Sequence, residues 1–295
     1  MRVVCGTQVA TTVPDLDNAS ATPAAAARAR GAQEFCLGLL AILVLATSLI
    51  FSFTDLDVRI ARQFASAISA GGGGHWTWDK HPVVVALYRF GTWPGLLAVG
   101  VALVGLLATW RRPATRCAGR GVVFIVLTVI IGPGLLVNMV GKDHWGRPRP
   151  RDLVEFGGHQ LYAAPGLICL SSVAAASSGH SFHGTSFPCG HSSVGFALGF
   201  ACAALLWRTR RRLALTCLGL GLVYGGVLGV ARMCAGAHFL SDVLWSAYVP
   251  ALVAMLLWWW LRPPLGATAP FVADHDRDRS DAPQPDPRTP VMKVL

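Results

Sequence analysis

Six apolar runs of roughly membrane-crossing length, separated by short polar or cationic stretches, constrain this chain more than anything else in it. They are Phe35 to Phe53, 94 to 110, Gly121 to Gly141, Ser192 to Trp207, Leu213 to Ala231 and His238 to Leu261. About 20 such residues cross the hydrocarbon core of a bilayer as a helix. Lipid offers the backbone no hydrogen-bond partners, so a helix is how each run satisfies its own peptide groups. The predicted fold is all-α, a six-transmembrane-helix bundle.

Composition agrees, with 53% hydrophobic residues against 14% charged ones in 295 and a mean hydropathy of +0.51. That balance is too apolar for an ordinary soluble domain. The formal charge of +10 could suggest nucleic acid, but the basic residues form short clusters between apolar runs, not one stripe interleaved with aromatics. No nucleic-acid partner is therefore expected, and the membrane is. The eight cysteines show no C-x-x-C pair and no metal-ligand spacing, which excludes a disulfide framework or zinc site. Cys169, Cys189 and Cys234 fall on one side of the predicted topology, where a bridge among them is open.

Residues 1–34, rich in Ala, Thr and Arg, read as a cytoplasmic tail, 35–261 as the membrane domain, and 262–295, rich in Pro, Asp and Arg, as a second cytoplasmic tail. Thr54 to His81 reads as an external loop with room for one interfacial helix. Arg111, Arg112, Arg116 and Arg120 share one acid-free loop, and Arg208, Arg210, Arg211 and Arg212 another. The positive-inside bias puts both in the cytoplasm. The Gly- and Ser-rich segment 142–190 then faces outward.

Three stretches meet at that outer face. Lys142-Asp143-His144-Trp145-Gly146-Arg147-Pro148-Arg149-Pro150 closes the third run; Pro188-Cys189-Gly190-His191 opens the fourth; Arg232 ends the fifth; and His238, four residues before Asp242, begins the sixth. Lys142, Arg149 and Arg232 supply the charge and forked donors that a tetrahedral phosphate requires, with Arg147 and Arg151 as further candidates. Backbone donors at a helix start after Gly190 add to them. Four of these external cations, Lys142, Arg147, Arg149 and Arg151, share one loop and run against the positive-inside bias, so snorkelling alone accounts for them poorly. If His238 and Asp242 are both helical they share a face, and the carboxylate can fix the tautomer that leaves Nε2 free to attack. A protonated His191 would then supply the leaving-group proton.

These stretches resemble the tripartite signature of the type 2 phosphatidic acid phosphatase superfamily: K-x6-R-P, P-S-G-H and S-R-x5-H-x3-D. Cys189 stands where the second motif has serine, and Ala231 where the third has one. The resemblance implies a phosphohistidine on His238, protonation by His191, attack by water, and no metal or other cofactor. Cys189 and Gly190 take their places in the phosphate loop. The context Gly146 to Leu153, followed by Glu155-Phe156-Gly157-Gly158, resembles bacterial members that act on lipid A or similar envelope lipids. The implied partner is a phospholipid or lipid A-type substrate, and the implied location the inner membrane with the site facing the periplasm.

Two other readings remain open: phosphoryl transfer to a lipid acceptor, and lipid phosphate binding or transport without catalysis. Ser178-Gly179-His180 imitates the second motif but lacks its proline and leads into more loop, so His180 is expected to be non-catalytic. His144, His159 and His183 read as solvated loop histidines.

Overall fold

The computed structural model describes residues 23–65, 76–109, 116–165 and 184–261. Among them every regular element is helical, and the only strand-like features are single bridges, Ala65 with Trp76 and Leu153 with Gln160. The helices are α1 (Pro23–Phe53), α2 (Leu56–Arg62), α3 (Pro82–Phe90), α4 (Trp93–Thr109), α5 (Arg116–Val129), a π-helix (Ile130–Gly141), α6 (Lys142–Trp145), α7 (Gly190–Leu206), α8 (Arg211–Cys234) and α9 (Leu240–Leu261). Two 3₁₀ turns, Pro150–Asp152 and Val154–Phe156, follow α6. The chain divides after Leu39 into two units, the first described only by the start of α1. The contacts below all lie in the second.

Helix α1 starts at Pro23, inside the stretch read as a tail. Proline at a first helical position followed by an Ala-rich segment favours helix strongly. Residues 1–22 and 262–295, and with them most of both tails, lie outside the described residues, as do Cys169, His180, His183 and the loop arginines 111 and 112.

Among the described residues, five helical stretches have the length and apolarity to cross a membrane: Gly31–Phe53, Pro82–Ala108, Gly119–Gly141, Arg211–Cys234 and Leu240–Leu261. The predicted fourth crossing is shorter than the others, because α7 has 17 residues and rises only about 26 Å. Its small residues let neighbours close over it. A Cβ on Gly195 or Gly199 of α7 would collide with the backbone of Gly225 or Gly221 of α8, the close approach typical of membrane helix pairs. On its other side Ala201 packs with Phe124 of α5 and with Val253, Ala254 and Leu257 of α9.

Many apolar side chains of α1 and α4 point the other way. Ile42, Leu45, Leu97, Val101, Val104 and Leu107 are exposed, a surface suited to lipid tails and not to water.

The third crossing is not one α-helix. Pro133 has no N–H to donate and its ring crowds the preceding turn. From Ile130 the coil widens into a π-helix, in which Asn138 Nδ2 donates to the Pro133 carbonyl at 2.7 Å. This element delivers Asn138 and Lys142 to the end of the bundle where α7 begins.

Candidate active site

The ends of the π-helix, α7, α8 and α9 meet, so all three sequence motifs come together. Cys189 N donates to the Asp242 carbonyl at 3.2 Å, and Ala237 N to the Arg232 carbonyl at 3.0 Å, tying the start of α7 to α9 and the end of α8 to the turn before it. That turn requires Gly236, whose φ of +63° is left-handed and where a Cβ would strike the Trp76 ring. Gly190 is needed for space: a Cβ there would collide with Asn138 and lie 3.0 Å from Lys142 Nζ. The first residue of α7 therefore sits directly against the Lys142 ammonium.

His238 is buried and lies just before α9, not within it. Its Nδ1 is 3.5 Å from Asp242 Oδ2, within ion-pair reach but not aligned as a hydrogen bond. The i,i+4 spacing brings the two together as expected, although only Asp242 is helical. That carboxylate oxygen is already held by Phe239 N at 2.8 Å and by the Ser186 hydroxyl at 2.6 Å.

Cys189 is fully buried and interacts with His238. Burial pushes the thiol up, but His238 and the hydrogen bonds of Ser192 together outweigh it and bring it down to about 7. Burial likewise pushes His238 down, and Cys189 and Asp242 together raise it above the ordinary histidine value. Cys189 and Cys234 are both free thiols, so neither forms the bridge that the sequence left open.

His191 is partly buried. Its Nε2 lies 3.1 Å from the Tyr88 carbonyl, an acceptor only, so this nitrogen carries the hydrogen. Tyr88, from α3, also packs its ring against the His191 ring, with centroids 5.7 Å apart. Arg232 places its guanidinium carbon 3.9 Å from the centre of the same tyrosine ring. The Arg232 guanidinium is buried, and its Nε and Nη1 have no hydrogen-bond partner. Arg149 and Arg151 are near enough for their charges to act on Arg232, as are Lys142 and Arg232 on His191. Arg149 Nη2 donates to the Thr185 hydroxyl at 2.8 Å. Among the described residues no group of three or more His, Cys, Asp or Glu is arranged to hold a metal ion.

Arg147, one of the sequence candidates for phosphate, has no surface to offer a ligand. It is fully buried between Asp57 and Asp242, with Nε donating to the Ala163 carbonyl at 2.8 Å and its guanidinium carbon 4.5 Å from the Phe239 ring centre. Burial alone would lower it, but the two carboxylates hold it above its usual range. Asp57 escaped the sequence reading, which took Thr54 to His81 as an external loop. The signal was its phase. On α2, Asp57 shares the buried face with Val58 and Ala61, while Asp55 and Arg59 pair on the exposed side at 2.9 Å. A cavity of about 540 Å³ is lined by Trp76, Asp79, Tyr88, Arg89, Arg151 and Asp152 among others, and it shares Tyr88 with the His191 contact.

Residues 122–264 match the family described as the PAP2 superfamily. Among curated proteins, the lipid A 4'-phosphatase of Francisella tularensis subsp. novicida (strain U112) is 41% identical over 125 residues, covering 42% of this chain and 51% of that protein. The lipid A 4'-phosphatase of Rhizobium leguminosarum is 35% identical over 134 residues, covering 44% and 51%. That of Rhizobium etli is 33% identical over 138 residues, covering 43% and 46%. The chain thus spans about half the length of the curated relatives it matches. No solved structure matches it. All three motifs, with both histidines and the cations around them, fall inside the matched segment, and residues 122–264 of this chain are a PAP2 superfamily domain.

Proposed function

We propose that this chain is an integral-membrane phosphatase that removes phosphate from the headgroup of an envelope lipid, with lipid A the foremost candidate. The observation that carries the reading is the buried Arg232 guanidinium, whose Nε and Nη1 have no protein partner. A buried charged donor without a partner is costly, and a phosphate oxyanion beside Arg149 and Lys142 would satisfy it. The PAP2 domain and relatives that are lipid A 4'-phosphatases support the same class. The polar cavity bordered by Tyr88 and Arg151 gives a headgroup room next to that phosphate.

His238 Nε2 attacks phosphorus and forms a P–N bond as the P–O bond to the lipid breaks. Asp242 accepts a hydrogen bond from Nδ1–H, which forms as the resting 3.5 Å separation closes and positive charge grows on the ring. His191, anchored through Nε2 on the Tyr88 carbonyl, gives its other ring proton to the departing lipid oxygen. It then takes a proton from the water that attacks the phosphohistidine, releasing inorganic phosphate and restoring His238. Lys142, Arg149, Arg232 and the amides after Gly190 stabilise the phosphoryl oxygens throughout. In this reading α7 completes six crossings, and the site opens to the periplasm from the inner membrane.

The test is phosphate release by detergent-purified wild type and His238→Ala protein, supplied with lipid A, phosphatidic acid, phosphatidylglycerol phosphate and undecaprenyl pyrophosphate. Release from lipid A by the wild type, abolished in a folded His238→Ala protein, is the expected result. A fully active His238→Ala protein overturns the mechanism, and a folded wild type that releases phosphate from none of the four overturns the class.

A further inference from the structure

Two carboxylates lie beneath the candidate site, and only Asp242 belongs to the three motifs. The other, Asp57, comes from α2, outside residues 122–264. It is fully buried, and its bonds leave little of it unused. Asp57 Oδ2 accepts from Arg147 Nη2 at 2.8 Å and from the Tyr162 hydroxyl at 3.1 Å. Asp57 Oδ1 accepts from the backbone N–H of Ser241 at 3.0 Å, and the Ser241 hydroxyl also donates to Oδ2. Arg147 Nη1 in turn reaches the Ser241 hydroxyl at 2.8 Å and Asp242 Oδ1. Contacts therefore run unbroken from Asp57 through Arg147 and Ser241 to Asp242, whose Oδ2 faces His238 Nδ1.

We propose that Asp57 is a positioning residue for His238, acting through Arg147 and Ser241 to fix the Asp242 carboxylate and preserve its negative field at the imidazole. This rests on the reading of His238 as the nucleophile. A single buried guanidinium facing a single carboxylate would cancel it, leaving His238 beside a neutral pair. With Asp57 present, Arg147 is shared between two carboxylates and the buried group carries one net negative charge before His238 is counted. That charge favours the positive ring that forms when His238 attacks. The hold on Ser241 is equally direct: both its amide and its hydroxyl are fixed by Asp57, one residue before Asp242. The other ionisable groups around His238 are Cys189 and His191 at the start of α7, with Arg232 on α8 next to Cys189. None of them is bonded to Asp57.

The experiment compares the full-length wild type with Asp57→Asn and Ser241→Ala. Three quantities are read: kcat on lipid A, inhibition by inorganic phosphate, and the titration of His238 followed by its ring NMR signals. Asp57→Asn is expected to lower kcat by about tenfold to a hundredfold, leave phosphate inhibition unchanged and move the His238 titration to lower pH. Ser241→Ala, a smaller change for folding, is expected to move kcat and the titration in the same directions by less. It decides the matter if Asp57→Asn does not fold. Wild-type kcat and titration in the folded variants overturn the proposal. Equal loss of kcat and phosphate affinity with an unmoved titration also overturns it, because that is what a merely structural role produces. If the wild type releases no phosphate from any lipid but the substitutions still move the His238 titration, the phosphatase reading fails and the positioning role stands.

Discussion

Cys189 occupies the position at which the second motif of the superfamily has a hydroxyl, and its neighbourhood gives the exchange a chemical consequence. A serine there would be neutral at any physiological pH, whereas this thiol lies near 7 because His238 stabilises its anion. Thiolate and imidazolium support each other, so the pair favours the protonated His238, the form that cannot attack. Serine removes that support. Burial then acts on His238 against Asp242 alone, and the imidazole becomes neutral at a lower pH. Cys189→Ser is therefore expected to shift the acid limb of the kcat/KM profile to lower pH without loss of kcat, measured as phosphate release across the pH range. An unmoved limb would show that the thiol does not govern His238. Arg147 gives the complementary lesson: a cation inside the first motif can be held wholly by protein groups below the site, two carboxylates among them.

Elements, not single side chains, set how closely the motifs approach. Helix α7 is short and rich in small residues, and α8 meets it backbone to backbone at Gly199 and Gly221. A side chain at that crossing pushes the helices apart and moves His191 relative to Arg232. Gly221→Leu is expected to destabilise the protein by about 1–3 kcal/mol through overpacking, seen as a lower thermal unfolding midpoint in detergent. Gly219→Leu is the control, since a Cβ there meets nothing, and its midpoint should stay at the wild-type value. Equal midpoints for both variants would mean that α7 and α8 are not closely packed. The π-helix contributes differently. Pro133 interrupts the α ladder, and the widened coil brings Asn138 and Lys142 against Gly190.

At the scale of the whole molecule, the described arginine-rich connection and the motif-bearing ends lie at opposite ends of the helices. Arg208 to Arg212 joins the far ends of α7 and α8, while the 3₁₀ turns after Pro150 lie by the site. In the proposed orientation the positive-inside bias puts the first in the cytoplasm and the second in the periplasm. A reporter active only outside the cytoplasm is expected to be active when inserted at Glu155 and silent at Arg210, both exposed positions. The reverse pattern would invert the proposed orientation. The PAP2 domain also does not stand alone, since Asp57 of α2 and the Phe51 carbonyl of α1 reach Tyr162 and Arg147 within it.

The sequence by itself determined the helical class and five of the six apolar crossings it proposed, because bilayer thickness sets run length, and it nominated the residues of the candidate site, because phosphate chemistry demands particular side chains at particular spacings. It also carried the pairing of His238 with Asp242, which the i,i+4 interval brings together even though α9 starts two residues late. Only the tertiary structure decided which cations face the site and which lie beneath it. Arg147 and Arg149 are two residues apart and identical in chemistry, yet one is locked between Asp57 and Asp242 and the other reaches Thr185 near Arg232. That difference depends on a carboxylate brought from α2 by folding. No local spacing records it, because burial and long-range pairing belong to the packed chain.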